Sequence, residues 1–112
     1  MMLDENSTVV IIPVYNEEKT ISALVRKLLE LELEVIVVDD GSSDLSATLA
    51  QAAGALVVKQ FHNMGYEQAL SDGFNEALKR GFGRILTFDG DGQFNPSDVM
   101  TFLDCQDKSG AE

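Results

Sequence analysis

Basic residues are scarce in this chain: 8 lysines and arginines stand against 19 aspartates and glutamates, a formal net charge of −11. That balance argues against a nucleic-acid backbone or an anionic membrane surface as the main partner, because both are held by cationic patches. An anionic ligand would need something other than lysine and arginine to neutralise it, and a divalent cation suits that task. Cys105 stands alone, so neither an internal disulfide nor a thiolate chelate can form, and a reducing cytoplasm fits. The single histidine, His62, lies beside a turn and is read as structural or exposed, not catalytic. No apolar run approaches the roughly 20 residues of a membrane span. The opening MMLDENSTVV lacks the basic and apolar regions of an export signal. Neither a Gly-x-Gly-x-x-Gly, a P-loop nor a Ser/His/Asp arrangement stands out, which leaves covalent catalysis and a dinucleotide fingerprint without support.

With 112 residues and 45% of them apolar, the chain has room for one domain, over 1–112, with a genuine core. Four continuous apolar runs, TVVIIPV (8–14), EVIVVD (34–39), ALVVKQF (55–61) and RILTFD (84–89), predict strands buried on both faces, as in a parallel sheet covered by helices. Between them lie stretches of helical period. Ile21, Leu24, Val25, Leu28 and Leu29 share one face, with Asn16 as the expected N-cap and Glu17 and Glu18 near the positive end of the macrodipole. Ser42 or Ser43 is expected to cap a second helix that Gly54 ends. YEQALSDGFNEALKR predicts a third, with Leu70, Phe74, Ala77 and Leu78 on one face, the small residues Ala69, Gly73 and Ala77 packed on the sheet, and Gly81 as a stop. Asn95 and Pro96 predict a last helix, PSDVMTFLDCQ. The pattern βαβαβαβα gives an α/β fold with a four-stranded, mainly parallel sheet flanked by helices, whose ligands sit outside the carboxyl ends of the strands.

The polar stretches PVYNEE, DDGSSD, HNMGYE and DGDGQFNP each follow a strand, so all four are expected on one rim. Asp89 and Asp91, one residue apart, project to the same side of an extended segment and repel each other. Mg²⁺ or Mn²⁺ would relieve that repulsion, being hard cations that take one or two carboxylates and fill their shell with water and ligand phosphates. An acidic turn that merely ends the strand explains the pair equally well. An EF-hand is excluded by Phe94 and Met100 at its sixth and twelfth positions. Asp39 and Asp40 are adjacent, so alternation sends them in different directions: one to accept hydrogen bonds from a nucleobase or ribose, the other to buttress the loop. Tyr15 could flank a base and Glu17 reach a sugar or base donor, although a first-turn helix acid also accounts for Glu17.

Taken together, VVIIPVYNEEKTI, VIVVDDGSSD, NMGYEQALSDGF and FDGDGQFNP, in this order, resemble the N-terminal half of family 2 glycosyltransferases of the Rossmann-like GT-A fold. The branch most resembled is that of dolichol-phosphate mannosyltransferases and polyprenyl-phosphate glycosyltransferases. The resemblance implies that Pro13, Tyr15, Glu17, Val38, Asp39 and Asp40 hold the nucleotide of a UDP- or GDP-sugar, and that Asp89 and Asp91 bind the metal on the donor diphosphate. Gln93 follows as in the DxDxQ form and is counted with Asp89 among the donor-binding residues. It further implies inverting transfer to an acceptor such as a polyprenyl phosphate, at the inner face of the membrane. Glu67 departs from the glycine or small residue common in relatives, and the chain stops one expected helix after the metal motif. It therefore looks like a donor-binding half, shortened in itself or completed by another chain. Two other readings remain: an acidic receiver-type signalling domain, and a nucleotide-binding remnant without turnover.

Overall fold

The apolar runs become strands because helices cover both of their faces. The computed structural model of the chain describes residues 7–87 and the backbone of residues 101–104. Strands β1 (Thr8–Val14), β2 (Glu34–Asp39), β3 (Leu56–Lys59), β4 (Arg84–Thr87) and β5 (Thr101–Asp104) form one sheet in the order β3-β2-β1-β4-β5. Along β1, Val10, Ile12 and Val14 point into one apolar cluster and Val9 and Ile11 into another on the opposite face. Strand β2 divides likewise, Val35 and Val37 to the first cluster and Ile36 and Val38 to the second. Each fully buried Val or Ile contributes roughly 1.5–3 kcal/mol of transfer free energy, so β1 and β2 form the spine of the sheet.

Helices α1 (Ile21–Glu30) and α2 (Ser46–Ala53) cover the first face, and α3 (Tyr66–Lys79) covers the second. Ile21, Leu24, Val25 and Leu28 are buried in α1 at the predicted spacing, and Gly54 ends α2 in the left-handed region at φ 116°. Ala69, Gly73 and Ala77 form the buried stripe of α3, with Leu70 and Phe74 packed at its margin. Leu78 does not join them: it is 56% exposed, because the narrow stripe of small residues sits directly on the sheet and turns position 78 outward. Gly81, at φ 89°, stops α3 as expected, and Phe82 N–H closes the end by donating to Ala77 O at 3.2 Å.

Strand β1 pairs in parallel with both β2 and β4, in registers Ile11↔Ile36 and Ile11↔Thr87. The winding therefore reverses at β1, and in such sheets the ligand crevice lies outside the carboxyl ends of the strands at that reversal. A receiver-type domain has the order 2-1-3-4-5. Here β3 lies outside β2, so the topology excludes that reading.

The helix expected through PSDVMTFLDCQ is corrected at Thr101–Asp104, which pair antiparallel with β4 in the register Leu86↔Phe102. Among the described residues the sheet thus has five strands, four parallel and one antiparallel at the edge. The run TFL is too short to fix a period and carries residues that favour strands, so the open edge of β4 decides its conformation. Among the described residues no helix is long and apolar enough to cross a membrane.

Candidate functional site

The loops leaving β1, β2 and β3 meet on one rim and are knitted together there. Asp40 N–H donates to Val14 O at 2.8 Å and Gln60 N–H to Asp39 O at 2.9 Å, which carries the strand pairing past the ends of the strands. Beyond that point side chains take over. Asn16 is not the expected helix cap: Thr20 holds that position, and Asn16 sits at φ 57° in the left-handed region. Its N–H donates to Ser42 Oγ at 2.8 Å, and its Oδ1 accepts from Ser43 N at 2.9 Å. Glu17 N–H donates to Ser46 Oγ (2.7 Å) and Glu18 N–H to Asp44 Oδ2 (3.2 Å), while Glu18 Oε1 accepts from Leu45 N (3.0 Å). Neither Ser42 nor Ser43 caps α2; Asp44 Oδ1 accepts from Ser46 N at 2.9 Å instead. Each loop thus satisfies the orphan amides of the other, the usual duty of local capping residues.

The acidic pair divides as strand alternation requires. Asp39 shares the parity of Val35 and Val37, is 2% exposed, and uses Oδ1 to accept Ser42 N–H at 3.2 Å, so it buttresses the loop. Asp40 shares the parity of Ile36 and Val38 and faces the α3 side, where Oδ1 accepts Met64 N–H at 2.6 Å and Oδ2 accepts Gly65 N–H at 3.1 Å. The backbones behind this clamp touch. A Cβ on Gly41, itself at φ 78°, would lie 2.6 Å from Asn63 N and from His62 C.

A small cleft of about 180 Å³ opens between the first loop and the start of α3, lined by Pro13, Val14, Tyr15, Glu17, Asp40 and Tyr66. Four of the expected nucleotide residues, Pro13, Tyr15, Glu17 and Asp40, therefore come together. Asp39 stands behind them. Val38 is fully buried beneath α3, so its side chain contributes packing to the core and does not line the cleft. Asp89, Asp91 and Gln93 lie outside the described residues. His62 is exposed, as expected of it. The residue that sequence reasoning passed over is Tyr66, 56% exposed across the cleft from Tyr15, which is 48% exposed. Its signal was an aromatic at the first helical position after a rim loop.

The Asp44 carboxyl is partly desolvated, which alone would raise its pKa. Hydrogen bonds from the Ser46 hydroxyl, the Ser46 amide and the Glu18 amide outweigh that and hold it below the ordinary carboxylate value. Among the described residues no group of three or more acids, histidines or cysteines could hold a metal ion. Asp39 Oδ1 and both oxygens of Asp40 are turned to backbone amides. A larger hollow of about 590 Å³ opens at the opposite edge of the sheet, beside Glu34, Gly54, Leu56 and Arg80. It lies at the amino ends of β2 and β3, away from the rim where the polar loops converge.

Residues 9–111 match the family described as glycosyl transferase family 2. The undecaprenyl-phosphate 4-deoxy-4-formamido-L-arabinose transferase of Proteus mirabilis is 36% identical over 106 residues, covering 84% of this chain and 32% of that protein. The polyprenol monophosphomannose synthase of Mycolicibacterium smegmatis is 32% identical over 113 residues, covering 94% and 42% respectively. Among solved structures, glucosyl-3-phosphoglycerate synthase from Mycobacterium tuberculosis, in complex with Mn²⁺, UDP-glucose and phosphoglyceric acid, superposes with a TM-score of 0.62 at 26% identity. That match covers 76% of this chain and 33% of the other. The chain spans less than half the length of each of these relatives. A parallel sheet that reverses its winding at β1, with three interlocked rim loops and a match over nearly its whole length, makes this chain a member of glycosyl transferase family 2 with the GT-A fold.

Proposed function

We propose that this chain binds the nucleoside diphosphate end of a sugar donor at the cleft beyond β1 and β2, and that the protein to which it belongs transfers the sugar, with inversion, to an acceptor such as a polyprenyl phosphate. The observation that carries this reading is the convergence of Tyr15, Glu17, Asp40 and Tyr66 on one cleft at the carboxyl edge of the sheet. Tyr15 and Tyr66 offer ring faces against which a base can stack. The oxygens of Asp40, each given one amide proton, retain lone pairs for a base or ribose donor. Glu17 lies within the same cleft for a sugar hydroxyl.

Asp89 and Asp91, one residue apart and just beyond the end of β4, are the residues that would hold Mg²⁺ or Mn²⁺. When bound, the cation stabilises the charge that gathers on the departing diphosphate. In the transfer, an acceptor oxygen forms its bond to the anomeric carbon as the bond from that carbon to the diphosphate oxygen breaks. Attack from the opposite face inverts the centre without a covalent enzyme intermediate. An acceptor phosphate attacks as an anion, so that acceptor needs no general base to remove a proton.

Calorimetry with UDP- and GDP-sugars, with and without Mn²⁺, tests the reading. Metal-dependent binding that Asp91→Ala abolishes is the expected result. A folded chain that binds neither nucleotide at millimolar concentration with the metal present refutes it.

A further inference from the structure

Three successive amides of the first loop, those of Asn16, Glu17 and Glu18, each donate to a side chain of the second loop or of the first residue of α2, respectively Ser42, Ser46 and Asp44. None belongs to the helical ladder, which begins when Thr20 N–H and Ile21 N–H return to Glu17 O. The first loop therefore takes its shape from the second. Asn16 lies in the left-handed region, which asparagine enters more readily than other non-glycine residues, and its N–H and Oδ1 are both bound there by the second loop.

Within this clasp the hydrogen bonds run in one direction. Ser46 is fully buried, and its hydroxyl has one proton to give. It gives that proton to Asp44 Oδ1 at 2.6 Å, within the range of a charge-assisted O–H···O⁻ bond, and so turns a lone pair towards Glu17 N–H at 2.7 Å. Asp44 Oδ2 meanwhile accepts Glu18 N–H. The site needs a group that only accepts. An asparagine amide would set its NH₂ against either the Glu18 amide or the Ser46 hydroxyl proton. Asp44 itself does not line the cleft, yet the loop it shapes carries Tyr15 and Glu17, which do.

We propose that Asp44, acting through Ser46, is the positioning residue for the Tyr15–Glu18 loop, which rests for its purpose on the donor-site reading above. Two near-isosteric variants, Asp44→Asn and Ser46→Ala, test it. Asp72→Asn serves as control: Asp72 also accepts two side-chain hydrogen bonds, from Gln60 and Gln68 at 2.5 and 2.9 Å, on the other face of the sheet. Amide hydrogen exchange, resolved by residue, and the affinity for UDP and for GDP with Mn²⁺ are measured on all four proteins.

In both clasp variants the amides of Glu17 and Glu18 should exchange at least about tenfold faster while the interiors of β1 and α1 keep their protection. Nucleotide affinity should fall about tenfold, the equivalent of about 1.4 kcal/mol. The control should change neither, even if its thermal midpoint drops as far as theirs, which separates positioning from general stability. Unchanged exchange at Glu17 and Glu18 in folded Asp44→Asn overturns the proposal, as does wild-type affinity in a variant whose exchange has quickened. If the wild-type chain binds neither nucleotide, the donor-site reading fails and takes the clasp's assigned purpose with it, while the exchange data still decide whether Asp44 shapes the loop.

Discussion

Replacing Gly73 by alanine adds one methyl group where α3 lies closest to the sheet. The new Cβ would fall 2.5 Å from Ile11 Cγ2 and 3.2 Å from Val38 Cγ2. Both neighbours are fully buried and β-branched, with little rotamer freedom, so neither can swing aside and the helix must back away. Overpacking a tight core costs about 1–3 kcal/mol, and a contact this short belongs in the upper half of that range. Alanine returns about 0.8–1.0 kcal/mol through its better helix propensity. The net expectation is a loss of about 1–2 kcal/mol, or roughly 5–10 °C in thermal midpoint for a domain near this size. Urea and thermal denaturation followed by far-UV circular dichroism measure it. Because α3 begins at Tyr66, the displaced helix should also weaken nucleotide binding. A Gly73→Ala protein as stable as wild type, or more so, would show that propensity wins and that α3 is not pinned as closely as described.

Other substitutions separate the rim from the core. Gly41→Ala combines a left-handed backbone with a Cβ driven 2.6 Å into the backbone of His62 and Asn63. It should cost more than about 2 kcal/mol, and faster exchange of the Met64 and Gly65 amides would locate the damage. Tyr66→Ala removes one wall of the cleft from an exposed position, so it should leave the melting curve within about 0.5 kcal/mol of wild type. It should lower nucleotide affinity by about 1–3 kcal/mol if a base stacks there, as read by calorimetry. The pH dependence follows from Asp44 and Glu76, both held below their ordinary values of 3.8 and 4.5. For Glu76 the cause is first the hydrogen bond from Arg80, at 2.6 Å, which outweighs the opposing effect of burial, with Lys79 adding to it. Their stabilisation is fully present above those ordinary values and is lost as pH falls through the lower, folded ones, so urea midpoints should fall in that acid range. Asp44→Asn and Glu76→Gln should flatten the fall.

What the sequence made legible was whatever depends on near neighbours. Runs such as VVII and VIVV announce strands covered on both faces, and Ile21, Leu24, Val25 and Leu28 announce one helix face, because periods of two and 3.6 are local geometry. Gly54 and Gly81 stop helices for an equally local reason, their positive φ. That Asp39 and Asp40 face different ways was foreseen by alternation, but which acid faces the cleft required knowing that α3 covers the parity of Ile36 and Val38. Asn16 shows the limit most plainly. Its residue type suits a cap, yet its partners Ser42 and Ser43 are 26 and 27 residues away, and no window along the chain contains both loops. The same holds for Thr101–Asp104, whose strand state is set by pairing with β4, and for Tyr66, which becomes a cleft wall only once the third loop has folded against the second.

The interlocked loops also determine what kind of surface a phosphate would meet. In sites built from a glycine-rich turn, anions are caught by main-chain N–H groups left open at a loop or helix start. Here the amides of Asn16, Glu17, Glu18, Ser43, Leu45, Met64 and Gly65 have each been given to a side-chain oxygen within the protein. Those seven amides are closed to incoming anions, and the cleft beside them is lined by the rings of Tyr15 and Tyr66 and the carboxylates of Glu17 and Asp40. Where the loops are clasped together, the cleft meets a ligand through its flat and hydrogen-donating parts, not through open main-chain donors of those seven residues.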